Sequence, residues 1–160
     1  MAAVEILATG PAFADMLILE CTVTGQVTDS SLLEPPRDGD AQGTKLEPAT
    51  VQVEIESVGK TLFIEIDGPD RYSLTETSAP APNKRIEKAG MTVESIAFDT
   101  TADVALGSQS TQILINRNTG SIAVLRTRIK PKIDMEQIDF NGTCKKVDHK
   151  VPKFQRRRIV

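Results

Sequence analysis

Apolar and polar residues alternate with a period of two along much of this chain, the signature of strands that bury one face. The pattern is clearest between Thr111 and Arg128. Thr111-Gln112-Ile113-Leu114-Ile115-Asn116 is apolar and β-branched, Arg117-Asn118-Thr119-Gly120 turns, and Ser121-Ile122-Ala123-Val124-Leu125-Arg126-Thr127-Arg128 returns. Two such runs joined by a short Asn/Gly loop predict a hairpin. Asn118 tolerates left-handed angles, and Gly120 takes φ > 0 without a Cβ clash. Ile113 and Ile115 then share a face with Ile122 and Val124, and Arg126 and Arg128 extend that face at its end. Lys130-Pro131-Lys132 breaks the strand, and a closing strand runs from Gln137 to Cys144.

Upstream, Met16 to Thr24 predicts a first strand with Leu17, Leu19, Cys21 and Val23 on one face. Gln26 to Thr50 holds Pro35, Pro36, Gly39, Gly43 and Pro48 and reads as a long loop. Val51 to Glu56 and Leu62 to Asp67 alternate cleanly and predict a second hairpin with an apolar face and an acidic one. Glu54, Glu56 and Glu65 are expected to face water. Arg71 to Thr77 predicts a short strand with Tyr72 and Leu74 inward. Ser78 to Gly90 reads as a loop, with one helical turn over Arg85 to Lys88. Thr92 to Asp99 alternates as a strand. Thr100 to Ser110 is small and polar, with Val104 and Leu106 as anchors.

Seven or eight short strands in sequential hairpins leave little room for helix. Such a meander hides its apolar face by closing into a barrel or folding into a sandwich. The fold expected is all-β, a small antiparallel up-and-down barrel, with a β-sandwich as the alternative. No repeat of 20–50 residues marks a solenoid or propeller.

Composition sharpens this picture. At 160 residues the chain fits one domain with a real core. It has no Trp and one Tyr, so the core must be built mainly from Ile, Leu and Val. No apolar run reaches the roughly 18 residues of a membrane span. Charge is uneven. Residues 1–144 hold 12 Lys/Arg against 21 Asp/Glu, a net of −9, and residues 145–160 hold 7 against 1, a net of +6. The expected organisation is a signal-peptide remnant over 1–14, one β domain over 15–147 and a basic extension over 148–160.

The signal reading rests on Ala12-Phe13-Ala14 before Asp15, an A-x-A site after an apolar stretch. Glu5 and the lack of an early Lys or Arg oppose it, and a short N-terminal helix or a frayed end is the alternative. Cys21 follows Glu20 rather than a small residue, so it is no lipid-attachment site. Cys21 and Cys144 lie in the first and last strands, which are neighbours in an up-and-down barrel. A disulfide between them would staple the closure and contribute roughly 5 kcal/mol for so long a loop. It would also place the protein in an oxidising compartment. Two buried free thiols in a cytoplasmic protein are the alternative.

Ile115-Asn116-Arg117-Asn118-Thr119-Gly120 resembles the (N/D)-R-x-(T/S)-G hairpin of small exported proteobacterial β-domain proteins. Phe140-Asn141-Gly142-Thr143-Cys144-Lys145-Lys146-Val147 resembles the G-x-C strand near their C-terminus. The resemblance covers about the last third of the chain. It implies an exported, periplasmic or secreted β domain, and it brings no activity, ligand or catalytic residue.

Chemistry is sparse. His149 is the one histidine and lies beyond the last strand, where a nucleophilic device has no cleft. Sites built on several His or Cys ligands are excluded by count, while oxygen ligands for calcium are plentiful. Asp38 and Asp40 lack the EF-hand spacing. No P-loop, dinucleotide fingerprint or G-x-S-x-G occurs. No catalytic, metal or cofactor residue is therefore assigned, and a hydrolase is the lesser reading. The candidate contacts are Lys153, Arg156, Arg157 and Arg158, which could meet an anionic envelope surface or partner. Alternatively the tail is a solvated extension or pairs with the acidic strand faces. Nucleic acid is the least expected partner, because the acidic body repels phosphate. Two function classes remain: a noncatalytic binding module taking a small apolar ligand or partner at the barrel mouth or long loops, and a structural protein held to an anionic surface by its basic end.

Overall fold

A computed structural model describes residues 14–31, 44–104, 107–129 and 134–147. Among them are nine strands: β1 Ala14–Ser31, β2 Thr44–Val58, β3 Thr61–Asp67, β4 Leu74–Thr77, β5 Lys84–Met91, β6 Ser95–Val104, β7 Gly107–Asn116, β8 Ser121–Ile129 and β9 Asp134–Lys146. A single 3-10 turn over Asp70–Tyr72 precedes β4. All pairs are antiparallel, in the order β4-β3-β2-β1-β9-β8-β7-β6-β5. The result is an all-β, up-and-down sheet curled into a half-barrel. Its first and last strands pair, as the barrel reading requires. The sheet's two edges are β4 and β5, which are consecutive in the chain.

The inward face carries the core. Leu19, Val53 and Ile66 align across β1–β2–β3, and Phe98, Ile113, Val124 and Phe140 align across β6–β7–β8–β9. All are buried. Ile113 and Ile115 share a face with Ile122 and Val124 as expected, and the register sets Ile113 opposite Val124 and Ile115 opposite Ile122. At the far end the inward row turns polar. Thr111 Oγ1 donates to Glu76 Oε2 at 2.8 Å, Arg71 pairs with Glu136 at 2.9 Å, and Arg126 Nη1 reaches the Ser73 carbonyl at 3.4 Å.

Several local expectations give way to pairing. Within the loop expected over Gln26–Thr50, the described residues are strand: β1 runs on to Ser31 and β2 starts at Thr44, and residues 32–43 lie outside the described residues. Pro48 fits there because the register shifts opposite it, between Val23 and Gly25, so no ladder N–H is demanded of it. The helical turn expected over Arg85–Lys88 is part of β5, where pairing with β6 overrides local preference. The polar stretch after Asp99 extends β6 to Val104, which is 45% exposed and anchors nothing. Leu106 lies outside the described residues. Tyr72 and Leu74 are inward as expected, although Tyr72 sits in the 3-10 turn.

One correction concerns charge. Glu54 and Glu65 do not face water: they stand opposite each other across β2–β3, on the face away from the core, and are buried. Parity of alternation places a side chain on a face and carries no information about what covers that face.

Candidate functional site

Of the residues singled out from sequence, Cys21 and Cys144 are brought together. They are direct partners in the β1–β9 ladder, with Cα atoms 3.9 Å and sulfurs 2.01 Å apart, a disulfide distance. Lys153, Arg156, Arg157 and Arg158 lie outside the described residues, as do residues 1–13 of the signal reading; Ala14 opens β1.

The two stretches that carry the family resemblance form one structural unit. Asn116 Oδ1 accepts the N–H groups of Asn118 and Thr119 at 2.9 and 3.0 Å, an Asx turn. Arg117 ties this turn to the β5–β6 connection, its N–H donating to Glu94 O and its Nη1 to Thr92 O. Gly120 has φ of 80°, and its carbonyl accepts the Cys144 N–H at 2.6 Å. A Cβ at Gly120 would stand 2.5 Å from Cys144 O, and one at Gly142 would stand 1.9 Å from Thr22 O. Both glycines let backbones approach where β1, β9 and the β8 hairpin meet beside the sulfur pair. The motif residues therefore build structure.

The half-barrel's inward end is plugged. Tyr72 meets Phe140 edge to face at 5.2 Å between centroids, and its hydroxyl donates to Glu47 O at 2.7 Å. Burial first, and the charge of Glu47 second, raise the Tyr72 phenol above its ordinary value. Burial, then the neighbouring Arg128 charge, lowers Arg126 from the usual guanidinium value. The void beside Arg126, Arg128 and Glu136 is about 10 Å³, about the space one water needs. Among the described residues these polar groups fill much of that end of the half-barrel.

Space of ligand size lies on the outward face instead. Ala97, Leu114 and Ala123 align across β6, β7 and β8, and the next row aligns Asp99, Gln112, Leu125 and Asp139. Together with Lys88 they line an open concavity of about 450 Å³. Leu114, in its lining, is 56% exposed, a high value for a large aliphatic side chain in a strand. Asp139 also borders a second concavity of about 470 Å³ lined by Thr24, Gln26, Lys45, Leu46 and Pro48. The groove is thus an apolar strip edged by carboxylates. Sequence reasoning missed it, although a signal was present. Ile113-Leu114-Ile115 is apolar at both parities, so whichever face takes the isoleucines, Leu114 is left on the other.

No group of three His, Cys, Asp or Glu that could hold a metal ion occurs among the described residues. No helix among them is long and apolar enough to cross a membrane. Compared with protein-family models, with curated proteins and with solved structures, the chain matches none of them.

Proposed function

We propose that the protein is an exported, noncatalytic binding module that takes an extended peptide segment across the outward groove of β6–β9. The observation that carries this reading is Leu114, exposed between Ala97 and Ala123 in the lining of a concavity of about 450 Å³. A sheet face with an exposed aliphatic anchor and polar rim supplies both burial and orientation for a partner chain. Asp99 and Asp139 on the rim, on a body whose first 144 residues carry a net −9, favour an occupant that combines aliphatic with Lys or Arg side chains. A cysteine pair at disulfide distance supports an oxidising compartment, and the hairpin's resemblance to exported proteobacterial domains favours the periplasm.

The test is NMR titration of the oxidised full chain with a probe peptide of alternating Leu and Lys. Shifts are expected at residues 97–99, 112–114 and 123–125, and Leu114→Asp should abolish them. An alternating Leu/Glu peptide is expected to leave the same residues unmoved. Shifts elsewhere on the sheet, or none at saturating peptide, would refute the reading.

A further inference from the structure

The hairpin end of the half-barrel, away from the Arg126–Glu136 cluster, is built differently. Inward-facing residues of β1, the β7–β8 hairpin and β9 enclose a cavity of about 150 Å³ there. Leu17 and Leu19 of β1 and Ile115 of β7 give it an apolar wall, and all three are buried. Cys144 also lines it, and Gly120 borders it without adding a side chain. Two cations share the lining: Arg117, just past the end of β7, and Lys146, at the end of β9. Both are exposed. The register sets Lys146 opposite Leu19, so its aliphatic stem starts beside the leucines while the ammonium is in water. Arg117 is already oriented, with its Nη1 donating to Thr92 O at 2.6 Å and its backbone N–H to Glu94 O at 2.8 Å. A guanidinium has five N–H donors, so that tether leaves others for a second acceptor. Among the described residues that line this cavity none is acidic, whereas Asp99 and Asp139 edge the outward concavity.

We infer that this cavity is a second binding site, for a small carboxylate that carries one apolar group of about the size of a benzene ring. The ring lies against Leu17, Leu19 and Ile115, and the carboxylate meets Arg117 and Lys146. Size sets the apolar part, because a cavity of about 150 Å³ walled by Leu and Ile takes a benzene-sized guest. Charge sets the head group. The first 144 residues carry a net −9, and two cations with no acid in the same lining reverse that sign locally. A guanidinium fork pairs with a carboxylate through two parallel hydrogen bonds, and an ammonium beside it adds a point charge. The pre-set Arg117 side chain loses little further freedom on binding. The mouth of a β-barrel is also a recurrent place for a small ligand. This site is separate from the outward groove. Ile115 is 1% exposed and faces inward, and its neighbour Leu114 is 56% exposed and faces outward, so adjacent residues of β7 serve the two sites.

The experiment is methyl NMR of the oxidised full chain titrated with phenylacetate, with phenylacetamide and 2-phenylethylamine as neutral and cationic analogues of similar shape. Phenylacetate is expected to shift the methyl signals of Leu17, Leu19 and Ile115 and to leave those of Leu114 and Leu125 in place. The amide should bind at least about tenfold more weakly, and the amine more weakly still. Lys146→Glu should weaken phenylacetate binding by about tenfold as well. Equal affinity for acid and amide, equal affinity of wild type and Lys146→Glu, shifts confined to Leu114 and Leu125, or no shift up to the solubility of phenylacetate would each overturn the inference. If Lys146→Glu does not fold, the acid-against-amide comparison on the wild type decides. The two sets of methyl groups do not overlap, so this cavity and the outward groove stand or fall separately.

Discussion

The junction of β1 with β9 and the seam between β4 and β5 are the two places where this sheet could have been open. They are held in different ways. At the junction thirteen residue pairs run in continuous register, a sulfur pair crosses it, and Gly120 and Gly142 let the backbones close up. At the seam β4 and β5 form no ladder. Among the described residues it is bridged by Lys84 Nζ to Thr77 O and by the polar contacts inside the half-barrel, such as Thr111 Oγ1 to Glu76 Oε2. The edges themselves are guarded. β4 has four residues, and four of the eight in β5 are charged. A junction of distant chain ends is costly to form and is locked. The seam joins consecutive elements, so the short connection between them does much of the holding.

This contrast predicts a graded response to perturbation. Replacing both cysteines, as Cys21→Ser with Cys144→Ser, should have the largest effect, about 4–5 kcal/mol for so long a loop, without abolishing the fold. Urea unfolding of the oxidised wild type and the double variant measures it. Two titratable thiols in the unfolded, unreduced native protein would remove the lock from the comparison.

Gly120→Val should cost about 2–3 kcal/mol, because a β-branched residue resists φ > 0 and its Cβ would meet Cys144 O. An unchanged urea midpoint would show that the β8 hairpin is not part of the lock.

At the seam, Thr111→Val should cost about 1–2 kcal/mol by removing a hydroxyl donor from the half-buried Glu76. An effect as large as that of the cysteine variant would erase the distinction between the two regions.

Tyr72→Phe should cost least, about 1 kcal/mol for the hydrogen bond to Glu47 O. It should also act on pH dependence. The folded-state pKa of Tyr72 is raised above the ordinary value of 10.0, so its contribution is full below that pH and is lost as pH rises through the folded value. Urea midpoints should fall above pH 10 in the wild type, and this component of the fall should vanish in Tyr72→Phe. Because the chain has a single Tyr, absorbance near 295 nm follows the same ionisation directly.

Alternation was enough to read both central hairpins, the inward rows of Ile and Val, the Gly120 turn and the antiparallel order that puts Cys21 beside Cys144. Those features are local, or follow from pairing neighbours in sequence. The rest depended on partners the chain does not announce. Residues 26–31 and 44–50 look like loop alone, and Arg85–Lys88 like helix, and they become strand because a neighbour supplies their hydrogen bonds. The open seam depends on how far nine strands curl, a property of the whole sheet. Leu114 could be read as apolar, but its exposure in a groove depends on the curvature of four strands around it. Glu54 and Glu65 were legible as outward and acidic, yet burial is decided by what lies over a face, and no period of two along a strand encodes that.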